Sequence, residues 1–180
     1  RDMNRFHSYQ VKAIKPPFSL SRGYTEGIRS ANAPVVALTQ DHAFMEENWA
    51  EMLIEDHKQS WAVVGPHVCN ANPVSMVSWA DFYISYGEWA SPVETGIKPH
   101  LPGHNSSYKV DILRKFDWEL ENAMEGESFF HRRLNGLGYR LLLDSRICLL
   151  HLNYETWQGW IPKRYYQGRQ FASAWSQYWS

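Results

Sequence analysis

Three places in this 180-residue sequence carry side chains that could do chemistry together. Gln40-Asp41-His42 follows a short apolar run, His151 follows Leu149-Leu150, and Glu127 opens a helix-like segment after an acidic stretch. A carboxylate with imidazoles can bind a divalent metal, and a further carboxylate can serve as a general base. Each residue also has an ordinary role. Asp41 beside a strand end is commonly a turn residue. His151 alone is more often a hydrogen-bonded, semi-buried histidine, and Glu127 alone satisfies the dipole at a helix start. Glu119, Glu121 and Glu125 read as solvated loop charges. What sets Asp41, Glu127 and His151 apart is their shared placement at strand ends and helix starts, where open α/β sheets bind ligands.

Such side chains need a sheet behind them. The apolar run at 34–39 predicts a buried strand, stopped by Gln40. Residues 25–31 predict a helix with Ser21 or Thr25 as N-cap. Met45, Trp49, Met52 and Leu53 recur at helical spacing, so an amphipathic helix is expected there, with Glu46, Glu47 and Glu51 facing away. A second strand is expected at 61–64, broken by Gly65-Pro66. This alternation of helices with continuous apolar strands argues for an α/β sheet with parallel members. Further on, 74–90 reads as helix, 91–103 as a Pro- and Gly-bearing loop, and 111–116 as a short helix before an acidic loop. Phe130, Leu134 and Leu137 mark a helix closed by Gly138. Residues 139–143 and 147–150 read as two strands around an Asp144-Ser145-Arg146 turn, and a helical tail follows Pro162.

Composition removes several classes. Eighteen basic against 19 acidic residues leave −1, without the basic surplus of a nucleic-acid domain, so no nucleic acid is expected as partner. Hydrophobic residues at 44% are enough for a core. No apolar run approaches the roughly 18 residues that span a bilayer, so no membrane span is expected in this chain, and no signal-peptide pattern opens it. Cys69 and Cys148 are too few for a disulfide framework and lack metal-site spacing; they read as two reduced, buried thiols. The first residue is Arg1 rather than methionine, as in a segment of a longer protein. Aromatics reach 15% and must be divided between core and ligand stacking. Trp49, Trp61 and Trp79 are expected in the core. Trp89, Trp118, Trp157 and Trp160 sit in or beside loops, where a ring can stack on a sugar, although packing is the commoner role for each.

Four stretches, in their order and spacing, resemble the family 2 glycosyltransferases. Residues 21–31, with Arg22, Tyr24, Gly27, Ile28 and Ala31, look like the family's R-N-x-G-I-x-x-A helix, with Tyr24 where Asn is common. Val35 to His42 followed by Trp49 resembles the strand leading into the Asp-x-Asp motif and the helix with its usual tryptophan. Glu127 to Leu134, ending at Gly138-Tyr139-Arg140-Leu141, is similar to the E-D-x-x-L-x-x-R-L-x-x-x-G-Y helix. Leu149-Leu150-His151 resembles the strand that ends in a histidine near the nucleotide diphosphate. The likeness runs from about Arg22 to about Arg169.

The resemblance implies an α/β chain with a partial GT-A fold, a mixed, mostly parallel sheet flanked by helices. It implies a single glycosyltransferase-like domain over 1–180 that lacks the N-terminal nucleotide-binding strand–helix units, and so binds nucleotide sugar weakly on its own. The implied activity is inverting transfer from a nucleotide-sugar donor to a carbohydrate, lipid or other hydroxyl acceptor. It would be assisted by a divalent metal ion (Mg or Mn), in the cytoplasm or at the cytoplasmic face of a membrane. Glu127 would be the catalytic base. Asp41 would hold the metal with His42 as second ligand, and His151 would contact the metal or the diphosphate. Arg22, Gln40 and Asp41 would face the donor. His104 and Asn105, in a stretch resembling the loop over the donor sugar, would bond its hydroxyls. Two departures bear on this: the first acid of Asp-x-Asp is Gln40, and the E-D pair falls on Gly126-Glu127, a carboxylate reaching about one methylene further. A non-catalytic carbohydrate-binding domain would not need Asp41, Glu127 and His151 to converge. A degenerate transferase would keep the fold with an impaired metal site. A histidine-rich metallohydrolase is the remaining alternative, against which the eight histidines lack HExxH spacing.

Overall fold

The computed structural model describes residues 8–16 and 19–178; Arg1 lies outside the described residues. The chain runs α1 (Leu20–Ser30), β1 (Val35–Ala37), β2 (Ala43–Met45), α2 (Trp49–His57), β3 (Val63–Asn70), α3 (Met76–Tyr86), β4 (Gly96–Ile97) and β5 (Ser107–Lys109). Then come α4 (Val110–Arg114), α5 (Leu120–Glu125), α6 (Glu127–Gly136), β6 (Leu141–His151) and α7 (Trp157–Tyr178). The sheet order is β1-β5-β3-β6-β2, with β4 also on β6.

The α/β class is as expected, but the mostly parallel sheet is not. Among the named strands of the described residues, only β3 and β6 pair in parallel; β1–β5, β3–β5, β2–β6 and β4–β6 are antiparallel. The cause is β5. It returns between β1 and β3 and runs against both, so three strands of common direction, β1, β3 and β6, are separated by an opposed one. Their carboxyl ends still share one rim, and that rim carries the polar residues.

Strand alternation divides the core. Val63, Leu141 and Leu143 pack with Tyr108 against Ile28, Leu113, Met124, Phe130 and Leu134 from the helices α1, α4, α5 and α6. Val64 and Leu142 pack with Leu53 of α2, and Val68 and Leu149 with Phe82 and Tyr86 of α3. Full burial of side chains such as Phe130 and Leu134, each 0% exposed, contributes roughly 1.5–3 kcal/mol apiece.

Several local expectations change for identifiable reasons. Met45 does not begin a helix; residues 43–45 pair with Leu149 to His151, and Asn48, at a φ of 66°, separates that strand from α2. Ser19, not Ser21 or Thr25, caps α1, its hydroxyl accepting from the Arg22 N–H at 3.0 Å. The acidic stretch is helical, because Leu120, Ala123 and Met124 bury one side of α5. The tail helix starts at Trp157, ahead of Pro162. Gly65-Pro66 does not end β3, and Asp144-Ser145-Arg146 is not a hairpin. Pro66 pairs with Asp144 and His67 with Cys148, so three residues of β6 bulge out at the proline, where no amide is available for the ladder. The turn chemistry is nonetheless present: Asp144 Oδ1 accepts from the Arg146 N–H at 2.9 Å.

That bulge holds a charged cluster. The Arg146 side chain reaches both oxygens of Asp144, which is 0% exposed, and Asp56 at 2.9 Å. Burial would raise Asp144, but the bonds from Arg146 outweigh it and hold the carboxyl below its ordinary range. Asp56 is pushed up to about 6 by burial and by Asp144 beside it. Among the tryptophans, Trp49 and Trp61 pack at the α2 core edge, whereas Trp79 is 39% exposed because it lies on the outer side of α3.

Candidate active site

Beyond the carboxyl ends of β1 and β6 lies a cleft of about 1050 Å³. Gln40, Asp41 and His42 reach it from the end of β1, His151 from the end of β6, and His104 and Asn105 from the turn at 103–105. Glu127, the first residue of α6, completes it. All these predicted residues therefore line one wall system. Arg22 is the exception: it sits on half-buried α1 and does not line the cleft, while Tyr24 of the same helix does.

Glu127 is 14% exposed at its side chain and pairs through Oε1 with His104 Nδ1. The imidazole of His104 stacks on Tyr24, centroids 5.5 Å apart. Close approach dictates the glycine opposite: a Cβ on Gly103 would stand 2.4 Å from the Glu127 Cβ. The Gly103 backbone is held by a buried relay. The Leu101 N–H donates to His131 Nδ1 at 3.1 Å, which leaves the proton on Nε2, 3.0 Å from the Tyr108 hydroxyl. That hydroxyl in turn donates to the Gly103 carbonyl at 3.0 Å. Burial pushes His131 down to about 3, so the relay stays neutral.

A second group fixes the far wall. Asn105 Nδ2 donates to Gln40 Oε1 and to the Tyr86 hydroxyl, both at 3.2 Å, and Tyr86 donates to Gln40 at 3.3 Å. Asn105 is 2% exposed, yet its Oδ1 has no hydrogen-bond partner among the described residues. An unpaired buried carbonyl costs about 1–3 kcal/mol. Burial, with the charge of Glu127, raises the Tyr24 and Tyr86 phenols and keeps both protonated.

His151 packs edge-on against His42, centroids 4.7 Å apart, and against Tyr86 at 4.5 Å. Its Nδ1 meets Asn153 Oδ1 at 3.0 Å, and burial pushes the imidazole down to about 4. The neutral ring thus donates from Nδ1 and keeps a lone pair on Nε2. Asp41 pairs with His42 at 2.9 Å. Asp41, His42, Glu127 and His151 share the cleft but do not gather three donor atoms at metal-ligating distance; among the described residues, only His67, Cys69 and Cys148 do so. That group could hold a metal ion, although Cys69 and Cys148 lack metal-site spacing in the sequence.

The outer wall is α7, which supplies Lys163, Tyr166 and Gln170. It is fastened by Asp81 of α3, which accepts from Trp160 Nε1 at 2.8 Å and the Tyr154 N–H at 3.0 Å and pairs with Arg164. Asp81 and Tyr86 carried no sequence signal, since their partners lie some twenty to eighty residues away. His131 did carry one, standing one helical turn after Glu127. No helix among the described residues is long and apolar enough to cross a membrane. No protein-family model matches this chain, and a search of curated proteins finds no match.

Proposed function

We propose that the cleft is the acceptor side of an inverting glycosyltransferase that uses a nucleotide-sugar donor, with Glu127 as general base. The observation that carries this reading is the gathering of Glu127, Asn105, Gln40 and His151 around one cleft at the strand ends. An acceptor hydroxyl attacks the anomeric carbon, its proton passes to Glu127, and the bond from that carbon to the diphosphate breaks on the opposite face. Base catalysis of this kind contributes typically ~10²–10⁴-fold. His104 holds the Glu127 carboxylate, and the Gly103 backbone leaves room for it. Asn105 Oδ1 offers an acceptor for a sugar hydroxyl.

The resemblance also implies Mg or Mn. Asp41, His42 and His151 supply one carboxylate and two imidazoles, a poorer match to a hard cation than an oxygen set, and they do not converge. No step is therefore assigned to a metal; Lys163 and Arg164 of α7 both line the cleft, and since Arg164 is paired with Asp81, Lys163 is the residue we assign to neutralise the diphosphate. This lack of convergence favours a second reading, a non-catalytic carbohydrate-binding cleft. The test is Glu127→Gln in the protein at its natural length, assayed for nucleoside diphosphate release from UDP- and GDP-sugars. Turnover should vanish while donor binding stays within about twofold of the unaltered protein. Persistent turnover removes Glu127 as the base, and donor binding without turnover in the unaltered protein supports the second reading.

A further inference from the structure

One face of the sheet collects soft ligands away from the cleft. His67 and Cys69 are two apart on β3, so alternation places them together, opposite Val68. Cys148 is the registered partner of His67 across the parallel β3–β6 pair and therefore shares that face. The ladder of β2 on β6 descends from Ala43–His151 to Met45–Leu149, and the next step sets Glu46 opposite Cys148, with the Glu46 N–H 3.5 Å from the Cys148 carbonyl. Val68, Leu149 and Met45 on the other face pack against α3. The face with the thiols is half open, with Phe44 47% exposed.

The geometry suits a metal. One ligand atom each from His67, Cys69 and Cys148 lie within 4.8 Å of one another. The two Sγ atoms are 3.6 Å apart. Tetrahedral zinc with Zn–S bonds of about 2.3 Å needs an S–S edge of about 3.8 Å, whereas a disulfide would need closure to about 2.0 Å. The Nδ1 of His67 is buried with no hydrogen-bond partner among the described residues. We propose that His67, Cys69 and Cys148, with Glu46 on the fourth side, form a binding site for a thiophilic divalent cation, zinc being the ion whose geometry fits. Thiolate and imidazole donors select zinc over magnesium or calcium. Binding releases the thiol protons to solvent and forms two metal–sulfur bonds without any change of oxidation state. Occupancy ties β3, β6 and the chain leaving β2 together, just below the rim that carries His42 and His151.

The test titrates the reduced, metal-stripped chain with Co²⁺ as the spectroscopic probe. A thiolate-to-cobalt absorption should saturate at one equivalent and be bleached by Zn²⁺, and bound Zn²⁺ should slow alkylation of both thiols by at least about tenfold. Cys69→Ser should weaken binding by more than the roughly 10–100-fold typical of losing an outer-shell partner. Glu46→Gln should weaken it roughly tenfold with the absorption retained. Alkylation protection uses the unaltered chain, so poor folding of a variant leaves the test intact. The proposal is overturned by a Cys69–Cys148 disulfide in protein isolated without reductant. It is equally overturned by the absence of the absorption while both thiols are free, or by a cobalt affinity and absorption that Cys69→Ser leaves undiminished.

Discussion

The Asp144 cluster and the cleft are both built around a carboxylate of low exposure, and they use it in opposite ways. Asp144 receives Arg146 on both oxygens and has nothing left to offer a ligand. Glu127 is met on one oxygen by His104 and faces a large cleft also lined by Asn105, whose buried Oδ1 has no hydrogen-bond partner among the described residues. Polar groups that satisfy each other inside the chain hold its shape, and those left short of partners along a cavity await a second molecule. Exposure alone would not have separated the two. The hydrogen-bond accounting does.

The sharpest break of this contrast is Glu127→Gln, expected to cost ~10²–10⁴-fold in turnover or more, with the unfolding midpoint nearly unmoved. A large fall in melting temperature would place Glu127 with Asp144 instead. Next is Arg146→Ala, which leaves Asp144 buried without its cation. We expect a loss of about 2–3 kcal/mol in denaturant unfolding, moderated by the guanidinium's exposure, and unchanged ligand affinity. Stability within experimental error of the parent would mean that the cluster does not hold the bulge. Gly103→Ala, in the cleft, combines the two kinds of effect: its methyl group collides with Glu127, so about 1–3 kcal/mol of stability and most of the turnover should be lost together.

The pH response belongs to the buried interior. His57 and His131 are pushed down by burial, to about 4 and about 3, below the ordinary value of 6.5. Between those values the unfolded chain binds protons that the folded chain refuses, so stability falls as pH drops below 6.5, by about 1.4 kcal/mol per pH unit for each histidine. Asp56, raised to about 6, acts in the other direction, stabilising the fold as pH falls through 6, but it is one group against three, since burial pushes His151 down to about 4 as well. Melting temperatures from pH 7.5 to 5 should decline; a rise on acidification would sink this assignment. The smallest effect is expected for Asn105→Ala, about 1 kcal/mol in ligand affinity by calorimetry.

Much of the site was legible because its residues follow directly on local signals. Glu127 opens a helix that Gly138, at a φ of 84°, closes as expected, and Gln40 to His42 end an apolar run. What was not legible depends on distant pairing. Ala43 to Met45 has the same apolar spacing whether helix or strand, and only β6, about a hundred residues on, decides between them. Cys69 and Cys148 are 79 residues apart and carry no spacing motif, yet neighbouring strands bring them together. The acidic stretch looked solvated because its charges obscured the three buried positions of α5.

The bulge in β6 also has an arithmetic consequence. Ser145, Arg146 and Ile147 are three extra residues, an odd number, so the up–down alternation of β6 is inverted across them while that of β3 continues unbroken. Leu142 before the bulge and Leu149 after it would otherwise face opposite ways. With the inversion, Leu149 and His151 turn toward α3 and Tyr86, and Cys148 turns toward His67 and Cys69. Parity thus acts as a one-bit setting. Removing a single residue from the bulge would reverse it, turning His151 away from the cleft and Cys148 away from Cys69 in one step.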